Sequence, residues 1–297
     1  MITNLHDAPR KPARAVVLGA SGFIGGATAR RLRSEGIEVA ALGREFYDLL
    51  APDAATRLAV ELRPDDTLVF VSARAPVKNV AMLMENMRMG EAVCVALKNR
   101  PVAHVVYVSS DAVYKDSSEP LSESSCAEPG SLHGVMHLTR EVMLRNEFSG
   151  PLALVRPTLT YGIDDPHNGY GPNRFRRLAA EREGITLFGE GEEQRDHVAV
   201  DDIAELILRI VLHRSTGIVN AVTGEVVSFR TLAEFIAAQF RPPVTIKGSP
   251  RVGPMPHDGL RPFASSAALA AFPGFTFTPW REGIAKMCVE TRAANER

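Results

Sequence analysis

The chain predicts a doubly wound parallel α/β sheet, and three observations carry that prediction. Its first apolar run opens into a turn bearing glycines at 19, 22 and 25 and then into a helical pattern. Strand-like and amphipathic stretches then alternate as far as residue 157, which is how βαβ units read. Several of those runs are apolar without interruption, as strands covered on both faces are.

The first unit, Ala15-Val16-Val17-Leu18-Gly19-Ala20-Ser21-Gly22-Phe23-Ile24-Gly25, orders strand, glycine turn and helix as a phosphate-binding crossover does. Gly19 takes the tight turn without a Cβ penalty. Gly22 lets the backbone approach a pyrophosphate at the positive end of the helix, and Gly25 lets helix and strand close together. Gly19, Ser21, Gly22, Phe23, Ile24 and Gly25 are therefore candidate dinucleotide contacts. Gly36 ends the helix, and 37–42 form the second strand. An acidic residue near this point usually bonds the ribose of NAD, but Gly43-Arg44 stands here. A guanidinium suits a 2′-phosphate, so NADP(H) is favoured and NAD(H) remains possible; a solvated surface arginine is the alternative.

Asp48 and Leu49 border the adenine position. A helix over 54–62 and a strand over 66–71 lead to Ser72-Ala73, small residues where a cofactor can pass. A long helix then carries Asn86 and methionines 82, 84, 87 and 89, whose spacing fits core packing better than a ligand surface. The strand 104–109 delivers Ser110-Asp111-Ala112-Val113-Tyr114 to the carboxyl edge of the sheet, where ligands sit in open α/β folds. A helix over 132–148 and a strand over 152–156 close the regular pattern at Pro157.

Beyond Gly162 the chain becomes turn-rich. It carries a basic helix over 173–183, a short strand at 185–188, a helix over 201–212, a strand over 217–222 and an amphipathic helix over 229–240. The expected organisation is a loose leader (1–14), a dinucleotide domain (15–165 and 195–222) and a smaller lobe (166–194 and 223–297). The net charge of −1 gives no electrostatic reason for nucleic acid or an anionic membrane as partner. Three widely spaced cysteines fit neither a disulfide framework nor a zinc pattern, and they point to a reducing, cytoplasmic setting. No window approaches the roughly 20 apolar residues of a membrane span.

Together these blocks resemble the extended short-chain dehydrogenase/reductases, the family of sugar-nucleotide epimerases, dehydratases and reductases. The resemblance rests on Gly19-x-x-Gly22-x-x-Gly25, Tyr107-Val108-Ser109-Ser110 to Tyr114, Arg156-Pro157 to Tyr161-Gly162, Gly189 to Arg195-Asp196, and Val200-Asp201-Asp202. It implies a Rossmann-type cofactor domain, a discontinuous substrate lobe, a nucleotide-sugar ligand and a homodimer through helices of the large domain. Asn86 and Pro157 join the cofactor set on this basis. Ser110 and Asp111 join the substrate set, with Asn173, Arg195 and Arg261 as nucleotide or diphosphate contacts; a salt bridge to Asp196, Asp201 or Asp202 is the other reading of Arg195. Residues 43–50 look most like the NADP-dependent GDP-fucose synthase branch. Asp111-Ala112 lacks the Asp-Glu pair typical of the dehydratases, so reduction or epimerisation fits better.

One departure stands out. The family's catalytic helix carries Tyr-x-x-x-Lys, whereas Gly134, Leu138 and Glu141 hold the register so that His133 and His137 occupy those positions. An imidazole titrates nearer neutral pH than a phenol and can carry the proton transfer. On that reading His133 is the acid/base, Ser110 bonds the reacting oxygen and His137 holds the nicotinamide ribose. On the opposing reading the chain binds coenzyme without turnover. A third reading, a metal half-site from imidazoles at i and i+4, lacks a third ligand and has Gly134 where a metalloprotease has glutamate. Tyr114, Tyr161 and Cys126 are alternative proton donors, with packing the simpler role for the tyrosines.

Overall fold

A computed structural model describes residues 1–295 of the chain. Strand β1 (Arg14–Leu18) is followed by α1 (Phe23–Ser34), β2 (Glu38–Leu42), α2 (Ala54–Glu61), β3 (Thr67–Phe70), α3 (Val80–Asn99), β4 (His104–Val108), α4 (Leu132–Glu147) and β5 (Leu152–Pro157). After β5 come β6 (Leu159–Tyr161), α5 (Pro172–Ala180), β7 (Ile185–Phe188), β8 (Gln194–Ala199), α6 (Val200–Leu212) and β9 (Gly217–Ala221). The last third holds β10 (Val226–Ser228), α7 (Phe229–Ala237), β11 (Ile246–Ser249), β12 (Leu260–Arg261), α8 (Ser266–Ala271) and α9 (Trp280–Asn295).

The six-stranded sheet has the order β2-β1-β3-β4-β5-β9, with every pairing parallel. Alternation along each strand splits its side chains between two cores. Val17, Val69, Val106, Val155 and Val219 meet Leu32 of α1 and Ile203, Ile207 and Ile210 of α6 on one face. Val16, Leu68, Phe70, Tyr107 and Leu154 meet Leu58 of α2, Val93 and Leu97 of α3 and Leu144 of α4 on the other. Chain order reverses between β1 and β3, so a crevice opens where those two strands end. Its walls touch there: a Cβ on Gly19, whose φ is +97°, would lie 2.8 Å from the Ser72 amide nitrogen.

The expected domain boundaries need three corrections. Residues 1–14 are not a loose leader. Thr3 bridges Thr216, the Leu5 and His6 amides donate to the His213 carbonyl, and Ser215 Oγ donates to Asn4 Oδ1 at 2.6 Å. The turn after α6 leaves backbone groups that this polar segment satisfies. Residues 195–199 do not join the large sheet, because β8 pairs with β6, β10 and β12. Within the C-terminal stretch, Ala268, Phe272 and Phe275 pack into the core of the large domain. Phe263 packs with Val113, Tyr114 and Leu121, and the lobe core is formed where Phe229, Ile236, Trp280, Ile284 and Met287 meet Phe175 of α5 and Leu187 of β7. Helix α9, hidden in a Pro- and Gly-rich sequence context, closes that core; residues 296–297 of the expected lobe lie outside the described residues.

His104 opens β4, buried, with Nε2 2.8 Å from the Ser215 carbonyl oxygen, and burial pushes its pKa down to about 4. A folded value below the unfolded one makes the unfolded chain bind the proton first as pH falls from about 6.5. Stability from this group is whole above that pH and is lost on the way down to about 4. At about 1.4 kcal/mol per pH unit the loss is roughly 3 kcal/mol. Asp196, held up at about 6 by burial, pulls the opposite way, because its folded form prefers the proton. The comparison is therefore parent against His104→Gln, in which Asp196 cancels. Urea denaturation at pH 7 and pH 4 is expected to show the parent losing about 3 kcal/mol more than the variant; parallel losses would rule out this assignment.

Candidate active site

The crevice deepens into a cavity of about 540 Å³ that runs from the glycine turn to the imidazole pair. Gly19, Ser21, Gly22, Phe23, Ile24 and Gly25 line one end, followed by Arg44, Asp48, Leu49, Ser72, Ala73 and Pro157. Ser110, His133 and His137 line the same cavity. The fold brings these residues together because β1, β3, β4 and β5 all end on one edge. A Cβ on Gly25 would lie 2.1 Å from the Gly19 carbonyl oxygen, so glycine there permits the close approach of α1 to the turn. Gly22 caps that helix with no side-chain hydrogen bond, which leaves the first-turn N–H groups to a ligand.

Two local features bring the imidazoles to the serine. Ser131 caps α4 by accepting the Gly134 amide at 3.1 Å. A Cβ on Gly134 would sit 2.0 Å from the Ala112 carbonyl oxygen, so only glycine lets the first turn of α4 lie against the 3₁₀ turn at 111–113. Ser110 caps that turn, its Oγ accepting the Ala112 amide at 3.2 Å and donating to Asp111 Oδ1 at 3.3 Å. The His133 and His137 rings meet edge to face, with centroids 4.7 Å apart. Burial lowers the pKa of both; nearby Asp111 partly offsets this at His133, while His133 and Arg140 lower His137 further. Both rings are neutral at pH 7. His133 Nδ1 is buried without a partner, and His137 Nδ1 lies 2.8 Å from the Tyr107 hydroxyl.

A frame of charged side chains holds this end. Glu141 is buried and takes a bidentate fork from Arg156 at 2.8 and 2.6 Å, as well as the Ser109 hydroxyl at 2.6 Å. Arg140, also buried, bonds the Asn86 and Ser72 carbonyl oxygens and Asn86 Oδ1.

Several expected contacts have other duties. Asn86 does not line the cavity; its side chain bonds the Arg74 backbone on both sides at 3.0 Å and the Met82 carbonyl at 2.8 Å, clamping the loop after β3 to α3. Asp111, Arg195 and Arg261 are also absent from the lining and form a buried ion cluster instead. Arg261 Nε bonds Asp111 Oδ2 at 3.2 Å, and Arg195 Nη2 stands 3.8 Å from the same oxygen and Nη1 3.2 Å from Glu193. Arg195 thus pairs with Asp111 and Glu193 rather than with Asp196, Asp201 or Asp202. The reason is that β12 and β8 run side by side and carry both arginines to the 3₁₀ turn. Asn173 lines the cavity, but its amide accepts the Gly162 N–H at 3.0 Å and donates to the Thr160 carbonyl at 3.2 Å.

Tyr114, Tyr161 and Cys126 stand apart from the cavity. Tyr114 donates to Asn220 Oδ1 at 2.7 Å, Tyr161 packs in the lobe core and Cys126 is exposed. Sequence reasoning missed Tyr47, Arg74, Met89, Thr158, Tyr170 and His197, all of which line the cavity. Met89 alone had a signal, as a member of the methionine run. Among the described residues no group of three or more His, Cys, Asp or Glu is placed to hold a metal ion.

A six-stranded parallel sheet with a cavity across its switch point defines a Rossmann-type α/β protein. The chain belongs to the NAD dependent epimerase/dehydratase family, whose model matches residues 15–222. It is similar to dTDP-4-dehydro-6-deoxy-D-allose reductase of Streptomyces bikiniensis, 26% identical over 287 residues, covering 82% of this chain and 86% of the relative. It is also similar to UDP-glucose 4-epimerase of Mycolicibacterium smegmatis, 28% identical over 231 residues, covering 66% of this chain and 72% of the relative. The solved structure of MoeE5 in complex with UDP-glucose and NAD has a TM-score of 0.82 at 25% identity, covering 95% of this chain and 99% of that one.

Proposed function

We propose that this chain binds NADP(H) or NAD(H) and acts on a nucleotide sugar, reducing a keto-sugar or epimerising through a keto intermediate, with His133 in place of the family's tyrosine. The observation that carries the reading is the single cavity joining the glycine turn to Ser110, His133 and His137. The residues fit the coenzyme: the cap of α1 offers no side chain to the first-turn N–H groups, the glycines leave no Cβ between turn and helix, and His133 Nδ1 has no protein partner. The 26%-identical reductase and the 28%-identical epimerase support the substrate class.

When bound, the dinucleotide supplies a hydride donor or acceptor. The Gly19 to Gly25 turn would hold its diphosphate and Arg44, exposed at the mouth, its 2′-phosphate. Arg44 has no hydrogen bond or ion pair within the protein among the described residues, and that free cation is why NADP(H) is favoured. His137 would hold ribose hydroxyls. Neutral His133 takes the proton from a sugar hydroxyl as it becomes a carbonyl and returns it in the reverse direction, while Ser110 turns its hydroxyl from Asp111 Oδ1 to donate to the reacting oxygen. Because burial lowers the His133 pKa, its base form persists below pH 6.5.

The test is nicotinamide absorbance with a panel of nucleotide sugars and their 4-keto derivatives, alongside calorimetric titration of NADPH and NADH. The expected result is turnover with at least one panel member and tighter binding of NADPH. Arg44→Asp is expected to remove the preference for NADPH, a loss of about tenfold for one exposed charge-assisted contact. Binding without any absorbance change would mark a silent binder. No binding of either dinucleotide would end the proposal.

A further inference from the structure

The position where the family has lysine holds a neutral ring with a buried tyrosine bonded to one of its nitrogens. Tyr107 lies on β4, fully within the core, its ring 5.2 Å from Phe70 and 5.9 Å from His137. Arg140 stacks over Phe70 at 5.0 Å, so the phenol is held by neighbours that fix where its hydroxyl points. That hydroxyl lies 2.8 Å from His137 Nδ1 and is also within reach of the Arg140 guanidinium, which can only donate to it, so His137 Nδ1 is the acceptor resolved for its proton among the described residues.

Only one arrangement of protons satisfies both groups. Were Nδ1 to carry the hydrogen, the phenol would accept it and its own O–H would be buried without an acceptor, which folded proteins avoid. With the phenol donating, Nδ1 accepts and the ring proton moves to Nε2. We infer that Tyr107 is a positioning residue that locks His137 into the Nε2–H tautomer, so that this position presents a neutral hydrogen-bond donor to a hydroxyl or carbonyl oxygen of the ligand in the cavity. Burial supports this by holding the phenol's pKa up at about 12, which keeps its proton in place, and by keeping the imidazole uncharged.

The inference rests on the reading of the cavity above only for the identity of the ligand; the tautomer belongs to the free protein. A histidine free to exchange tautomers would offer a lone pair at Nε2 for part of the time. The lock removes that choice before any ligand arrives, as second-layer partners do for metal-bound imidazoles.

The experiment is 15N NMR of histidine-labelled free protein, with the His137 signals assigned by their loss in His137→Gln. The parent is expected to show Nε2 protonated and Nδ1 as an unprotonated acceptor at pH 7. Tyr107→Phe, which removes one oxygen and keeps the ring, is expected to give a mixture of tautomers with a cooperative thermal transition retained. A parent with Nδ1 protonated, or a Tyr107→Phe spectrum identical to the parent's, would overturn the inference. A mere packing role for Tyr107 would lower the melting temperature without moving the nitrogen shifts. The Nε2–H pattern in a protein that binds no dinucleotide would sink the proposed function and leave this assignment standing.

Discussion

His133→Phe is expected to lower turnover by about 10²–10⁴-fold, the usual worth of a positioned acid/base group, while dinucleotide affinity stays nearly unchanged. Phenylalanine keeps a flat ring at the mouth of α4 and removes both nitrogens. No protein hydrogen bond involving His133 Nδ1 is lost, because that atom has none. The substitution therefore separates chemistry from folding. The pH profile adds a second readout: the parent's acid limb should fall below pH 6.5, following the lowered pKa of His133, and should be missing from any residual activity of the variant. Parent-like turnover in His133→Phe would reject histidine catalysis and shift attention to Ser110 and water.

Gly25→Ala is expected to weaken binding of either dinucleotide by about ten- to a hundredfold. The new Cβ would stand 2.1 Å from the Gly19 carbonyl oxygen and 2.8 Å from its carbon, backbone atoms that cannot swing aside. Relief requires α1 to slide from the turn, and overpacking of this kind costs about 1–3 kcal/mol, with each 1.4 kcal/mol a factor of ten in affinity. Calorimetry with NADPH and NADH on the parent and on Gly25→Ala measures it directly. The far-ultraviolet circular dichroism should be shared by the two proteins. Equal affinity would mean that the dinucleotide does not lie on this turn.

How much of this site was legible depends on how far apart its parts lie in the chain. The glycine turn, Ser72-Ala73 and Ser110 follow from strand ends, because parallel strands deliver their last residues to one edge and the sequence marks each ending with small residues. The imidazole pair was legible through Gly134, whose lack of a side chain holds the register of α4. For Asn86, Arg195 and Arg261 the resemblance to the family implies a ligand role, and a resemblance carries no information on their neighbours in this chain. Asn86 serves a loop twelve residues upstream, and Arg261 meets a carboxylate 150 residues before it. Pairings of that separation leave no periodic trace. His197 lines the cavity for the same reason, through a second sheet whose strands come from four distant stretches, and Tyr170 reaches it from the turn before α5.

By itself, the sequence determined the layered parallel sheet, the glycine-bearing bend after β1 and the placing of two imidazoles one turn apart on α4. All three are local, encoded in apolar runs, glycine spacing and helix register. The tertiary structure alone decided the pairing of His137 with the Tyr107 hydroxyl, the docking of the N-terminal segment and the neutralisation of Arg195 and Arg261 by Asp111 and its neighbours. Those outcomes depend on which buried donors find acceptors, and only the packed chain can match partners that burial has cut off from water.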